Sequence, residues 1–147
     1  MIKQNDLSLD DIQIGQKAQF KVIITKSMID RFADLSGDFN SLHMDESYSK
    51  NEGFEKRVCH GMFLASLFSR LIGMHLPGKN ALYLSQSLKF ISPCYVDDEI
   101  SVEGTVLRKS LSSKIVTLKT IITKKPDVKI VIGEAKVMIR GTNIVKR

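Results

Sequence analysis

The sequence predicts an α+β domain, an antiparallel sheet of about five strands wrapped around one long central helix. Three observations carry this. The apolar run GMFLASLFSRLIGMHL, from residue 61, places Met62, Phe63, Leu64, Leu67, Phe68, Leu71, Ile72 and Met74 on nearly every side of a helix, which predicts burial on most faces. Everything after Pro77 and Gly78 reads as strand, rich in Val, Ile, Thr and aromatics and interrupted by short polar turns. At 147 residues the chain fits one domain, taken as 1–147, long enough to bury a single core.

The elements follow in order. Residues 17–24, KAQFKVII, alternate Ala18, Phe20, Val22 and Ile24 against polar neighbours, the period of a half-buried strand. Ser27 is positioned to cap a helix in which Met28, Ile29, Phe32 and Leu35 recur at helical spacing, ended by Ser36 and Gly37. Asp45 is positioned to cap a second short helix, ESYSK, and a polar segment over 51–57 leads to the apolar helix. The four stretches ALYLSQSLKFIS, EISVEGTVL, KIVTLKTIIT and VKIVIGEAKVMIR are separated by breaks at 93–98, 109–113 and 125–127, which predicts an antiparallel meander. Val116, Leu118, Thr120 and Ile122 share one face of the third, and Val131, Gly133, Ala135, Val137 and Ile139 one face of the fourth.

Composition narrows the function classes. With 43% hydrophobic and 26% charged residues and no low-complexity tract, the chain is neither disordered nor fibrous. No apolar run of about 18 residues is present and MIKQNDLSLDD lacks the apolar core of a secretory signal, so the expectations are no membrane and a cytoplasmic location. Cys59 and Cys94 have no metal or redox spacing and read as reduced, structural residues. The net charge of +6 admits nucleic acid, an anionic membrane or a polyanionic small molecule. Its cations are scattered in ones and twos, as at Lys56–Arg57, Arg108–Lys109, Lys124–Lys125 and Lys146–Arg147, without a stripe or aromatic interleaving. That pattern argues against nucleic acid, describes a solvated surface for most of these residues, and leaves room for a phosphate-bearing ligand.

Two stretches carry candidate chemistry. In SGDFNSLHMD, residues 36–45, Asp38 and His43 stand on a loop that can curl a carboxylate and an imidazole around one water, one taking its proton while the other supplies one. Turn chemistry accounts for the same residue types, since Asp and Asn bond their own backbone in turns. In CHGMFLASLFSRLIG, Gly61 begins the apolar helix, whose first amides lack intrahelical partners and suit an anion or a polarised carbonyl oxygen. The alternatives there are close packing for Gly61, a capping or buried role for His60, and back-bonding to helix carbonyls for Ser66 and Ser69.

Taken together, FADLSGDFNSLHMDESYS, FEKRVCHGMFLASLFSRLIG and QSLKFISPCYVDDEISVEGTV resemble the MaoC-like hot-dog dehydratases, most of all the (R)-specific enoyl-CoA hydratases. The resemblance implies a hot-dog fold and a hydro-lyase that adds water reversibly across the C2–C3 double bond of a trans-2-enoyl-CoA, giving the (3R)-hydroxyacyl-CoA. It implies Asp38 and His43 as the catalytic pair, Asn40 as a supporting polar residue, Gly61 as the amide that polarises the thioester carbonyl, and Ser69 as an orienting hydroxyl. It implies no metal and no cofactor apart from the coenzyme A of the substrate, an acyl-CoA partner whose phosphates match the positive charge, and a homodimer. The chain departs from the family at Ser41, where proline is usual and would fix one φ angle, and at Asp97, where relatives often carry glycine. A hot-dog acyl-CoA thioesterase and a dehydratase of acyl-carrier-protein thioesters are the nearest rivals. A non-catalytic acyl-CoA sensor or inactive dehydratase partner fits less well, because Asp38 and His43 are both present and no DNA-reading segment is evident.

Overall fold

A computed structural model of the protein describes residues 1–141; residues 142–147, which include the Lys146–Arg147 pair and the end of the expected 1–147 domain, lie outside the described residues. Strand β1, Lys17–Ile23, has the predicted alternation, with Phe20 inward and Ile24 buried just beyond its end. Helix α1, Lys26–Ser36, begins earlier than expected. Its cap is Thr25 and not Ser27: Thr25 is extended, and its hydroxyl accepts from the Met28 N–H at 3.1 Å, whereas Ser27 already lies in the first turn. The helix buries Ile29 and Ala33, while Leu35, a core position by spacing, is 87% exposed.

Two short helices follow, α2 (Ser41–Met44) and α3 (Glu46–Asn51), and then the central helix α4 (Gly61–Arg70). The long helix expected through residue 76 changes character at Leu71, where a π-helical turn, Leu71–His75, takes over and closes with a Leu76 N–H bond to the Leu71 carbonyl at 2.9 Å. The wider turn lets the consecutive residues Leu71 and Ile72 both enter the core. Burial of α4 is narrower than its apolar run predicts: Leu64 and Phe68 are buried, but Met62, Ser66 and Ser69 are exposed.

Among the described residues the sheet has six antiparallel strands, one more than expected. Strands β2 (Ala81–Gln86), β3 (Lys89–Phe90), β4 (Glu99–Lys109), β5 (Ile115–Lys124) and β6 (Val128–Ile139) join β1 in the order β1-β4-β5-β6-β2, with β3 also on β6. Only β4, β5 and β6 form the predicted meander; β1 closes one edge and β2 the other. The single strand expected over 81–92 splits because Ser87 leaves the ladder to press on β6. A Cβ added to Gly133 would stand 1.8 Å from the Ser87 carbonyl oxygen, and the Ser87 hydroxyl accepts from the Glu134 N–H at 2.9 Å. The faces read from period-2 spacing are correct: Val116, Leu118, Thr120, Ile122, Val131, Ala135, Val137 and Ile139 are all buried.

This curved sheet packs on α4 and the π-helical turn in two adjoining apolar clusters. Phe68 and Leu71 meet Ile100, Val102 and Ile122 in one, and Ile72 and Leu76 meet Val116, Leu118 and Val137 in the other. Each fully buried side chain of this size contributes roughly 1.5–3 kcal/mol. The helix is thereby seated with its N-terminus open toward the loop that follows α1. Asp97, between β3 and β4, adopts φ 74°, the left-handed region that favours glycine, and its carboxylate lies 3.6 Å from Lys56 Nζ.

Candidate active site

The segment after α1 is a relay of side-chain turns. Gly37 closes the helix at φ 79° with its N–H on the Ala33 carbonyl at 2.8 Å. The Ser36 hydroxyl then accepts from the Asp38 N–H (3.1 Å), Asp38 Oδ1 from the Asn40 N–H (3.1 Å), and Asn40 Oδ1 from the Leu42 N–H (3.0 Å), which caps α2. Each short polar side chain holds backbone two residues ahead. The turn reading and the site reading are both satisfied, because Asp38 commits Oδ1 to the turn and presents Oδ2 to His43 Nε2 at 3.8 Å.

His43 stands on α2 with Nδ1 2.7 Å from the Val58 carbonyl oxygen. A carbonyl can only accept, so Nδ1 carries the hydrogen and the neutral ring has its lone pair on Nε2, the nitrogen facing Asp38. A water about 2.8 Å from both Asp38 Oδ2 and His43 Nε2 would subtend an angle of roughly 85°, compatible with two hydrogen bonds to one molecule.

His60, read from sequence as a cap or a buried residue, is both: it is buried and occupies the N-cap position of α4, its carbonyl accepting from the Leu64 N–H at 3.2 Å, but its side chain makes no capping bond. Its Nε2–H donates to the Asp38 carbonyl at 2.9 Å, its ring stacks on that of His43 with centroids 3.9 Å apart, and Phe32 meets its edge at 4.9 Å. Burial pushes its pKa below the ordinary value, against the upward pull of the Asp38 carbonyl bond, and Nδ1 is buried without a partner among the described residues. With the His60 ring turned to Asp38, no side chain among the described residues caps α4, and the first amides of the helix are free of a side-chain acceptor there.

These groups share one cavity of about 460 Å³, lined by Asp38, His43, His60 and Gly61 on one side and by Phe90, Ile91, Ser92 and Cys94 on the other. Gly61 is there because of a close approach: a Cβ on it would stand 2.8 Å from the Phe90 ring. Cys59 and Cys94 are free and buried, with the Cys59 N–H on the Cys94 carbonyl at 2.7 Å. The hydrogen bond with Cys94, and then burial, pushes the Cys59 thiol up, as befits an inert structural residue. Of the sequence-predicted site residues, Asp38, His43 and Gly61 line this cavity, Asn40 supports it from outside as the α2 cap, and Ser69 is exposed two turns along α4 and does not line it. One donor atom each from Asp38, His43 and His60 lies within 4.8 Å of the others, so the trio could also ligate a metal ion, although His43 Nδ1 and His60 Nε2 are engaged by carbonyls.

Sequence reasoning misses Arg57 altogether. Its place beside Lys56 groups it with the solvated cations, but it is only 6% exposed, because its guanidinium turns inward to Asp30 and the main chain of His43.

Comparison with known proteins matches residues 11–125 to the MaoC like domain. The chain belongs to the MaoC-like family. Within it, the chain is 41% identical to the (R)-specific enoyl-CoA hydratase of Aeromonas caviae over 90% of its own length and 99% of that protein's. The solved structure of the A. caviae (R)-hydratase superposes with a TM-score of 0.84, over 87% of this chain and 97% of that one. An R-hydratase from Pseudomonas aeruginosa superposes with a TM-score of 0.88 at 32% identity, over 93% and 88% of the two chains. A mitochondrial 3-hydroxyacyl-[acyl-carrier-protein] dehydratase of Arabidopsis thaliana is 34% identical over 92% of this chain and 82% of that protein. This MaoC-like chain has the hot-dog fold, a curved antiparallel sheet around a central helix.

Proposed function

We propose that this MaoC-like protein is an (R)-specific enoyl-CoA hydratase, a hydro-lyase that interconverts trans-2-enoyl-CoA and (3R)-hydroxyacyl-CoA. The observation that carries the reading is that Asp38 and His43 face the uncapped N-terminus of α4 across one cavity. The thioester carbonyl takes the Gly61 N–H, where the helix dipole and free amide stabilise the enolate-like oxygen that develops as water adds. Asp38 and His43 hold the water; as a coupled pair they take its proton while the oxygen bonds to C3, and a proton is returned to C2 on the same face. One water enters and no atom leaves, so the step balances without an oxidant, a metal or an organic cofactor, the thioester itself acidifying C2. Ser69, exposed and outside this cavity, takes no part in this reading.

The net charge of +6 suits the coenzyme A phosphates. A homodimer is supported by the edge of the sheet, where among the described residues the terminal strand β2 exposes Leu82 and Leu84 and Met62, Phe90 and Ile91 are exposed as well. Among the described residues no helix is long and apolar enough to cross a membrane, and the reading places the enzyme in the cytoplasm.

Incubation with crotonyl-CoA tests the activity. Loss of the conjugated-thioester absorbance without free thiol, and a (3R) product, is the expected result; free thiol means a thioesterase, and an (S) product overturns the assignment. The similarity to the A. thaliana dehydratase favours one second reading, action on acyl-carrier-protein thioesters. Comparing kcat/KM for crotonyl-CoA and crotonyl-acyl carrier protein separates the two.

A further inference from the structure

Lys56 and Arg57 are neighbours with opposite fates. Lys56 lies at the surface near Asp97, whereas Arg57 is buried with its side chain directed at the segment that carries His43. Its Nε–H donates to the His43 carbonyl, and Nη2 donates to Asp30 Oδ1 at 2.5 Å and approaches Met44 Sδ at 3.6 Å. The next residue continues the grip: the Val58 N–H bonds the Leu42 carbonyl at 3.0 Å, and the Val58 carbonyl accepts from His43 Nδ1 at 2.7 Å. Residues 57 and 58 therefore hold the main chain of Leu42, the carbonyl and ring of His43 and the thioether of Met44.

Helix α2 is a single turn of four residues and cannot fix its own orientation. Its last carbonyls need outside partners, and the guanidinium fork supplies one while reaching a second element, α1, through Asp30. A lysine has the charge but carries its donors on one nitrogen, without the planar fork that spans two acceptors. We infer that Arg57 is a positioning residue for this site: anchored on Asp30, it fixes the main chain of His43 so that Nδ1 stays on Val58 and Nε2 faces Asp38. The role rests on the hydratase reading for its kinetic consequence, but not for its structural one.

Two variants and two readouts test it. Asp30 is half-exposed and stays solvated without its partner, so removing the Arg57 cation leaves no buried, uncompensated charge behind. Arg57→Met thus tests positioning with the fold retained, and Asp30→Asn loosens the anchor from a half-exposed position should Arg57→Met fail to fold. With crotonyl-CoA, Arg57→Met lowers kcat per folded molecule by about tenfold or more, Arg57→Lys recovers little of it, Asp30→Asn gives an intermediate loss, and KM moves far less than kcat. Independently of substrate, long-range proton–nitrogen NMR of the parent shows His43 with its hydrogen on Nδ1, and the variants show a growing share on Nε2. A parent that does not hydrate crotonyl-CoA overturns the hydratase reading, leaving the NMR arm to judge the positioning. Unchanged His43 tautomer in the folded variants, or kcat within about twofold of the parent in both Arg57→Met and Asp30→Asn, overturns the positioning role.

Discussion

The imidazole of His60 lies over that of His43, centroids 3.9 Å apart and planes inclined by 28°, while its Nε2–H holds the Asp38 carbonyl at 2.9 Å. One buried, neutral ring thus touches both members of the proposed pair, braced behind by Phe32. A charge on His60 would place a buried cation beside His43 and Arg57, with the Asp38 carboxylate to offset it.

That arrangement sets a pH dependence of stability. The folded pKa of His60 is depressed, chiefly by burial, below its ordinary value of 6.5, so the unfolded chain binds the proton first. The stability is fully present above pH 6.5 and is lost as pH falls through the lower folded value. His75, which stacks on Phe20 and lies near Arg70, shifts in the same direction for the same first cause. Thermal unfolding between about pH 8 and pH 5 is expected to show Tm falling below about pH 6.5. The fall should be shallower in His60→Gln, whatever its offset at the alkaline end; an identical slope in that variant would show that His60 is not a source of the effect.

Substitution of the pair separates chemistry from structure. Asp38 is partly exposed and uses only Oδ1 in the turn, an acceptor that asparagine retains, so Asp38→Asn keeps the loop while removing the charge. His43→Gln keeps a donor for the Val58 carbonyl. Each is expected to lower kcat for crotonyl-CoA hydration roughly 10²–10⁴-fold with near-parental Tm. Hydration by both variants at close to the parental rate would remove the pair from the mechanism.

How far the chain is legible in advance varies with the physics involved. Period-2 faces of β5 and β6 are legible because a one-residue error would send a whole apolar face to solvent. The cap of α1 is not, because Thr25 and Ser27 offer the same hydroxyl and only the extended backbone at Thr25 chooses between them. The split of β2 from β3 depends on Ser87 meeting Gly133 across 46 positions of sequence, and a glycine inside a strand pattern signals such contacts without naming the partner. At the site, Asp38, His43 and Gly61 stand out by residue type and position, whereas Arg57 looks like one more surface cation beside Lys56. Its burial follows from a contact with Asp30, 27 positions away, which no local pattern encodes.

Gly61 and Phe90 offer a test of shape against stability. The atoms that a Cβ added at Gly61 would meet belong to a half-exposed side chain, with the Phe90 ring 2.8 Å away, so the ring can swing aside at small cost to the fold. It would swing within the cavity that holds the free amide. Gly61→Ala is expected to lower kcat by roughly tenfold with Tm little changed. Adding Phe90→Leu, which vacates the ring edge, should restore part of the loss. Failure of the double variant to improve on Gly61→Ala would show that Phe90 is not the obstacle.

At Gly133 the same substitution meets backbone instead. The added Cβ would stand 1.8 Å from the Ser87 carbonyl oxygen and 2.8 Å from its carbon, atoms held by the Ser87 N–H bond to the Glu134 carbonyl at 2.9 Å. Neither strand can yield without breaking the ladder that carries β2 and β3 on β6, so Gly133→Ala is expected to cost roughly 3 kcal/mol in denaturant unfolding. Gly73, in the π-helical turn, has nothing within 4 Å of its added Cβ, and its φ is not positive. There Gly73→Ala restricts the unfolded chain without a clash and should raise stability by roughly 0.5–1 kcal/mol. The opposite signs of two Gly→Ala changes, measured in the same urea titration, check whether the Ser87–Gly133 contact closes the β2–β6 edge; equal midpoints would refute it.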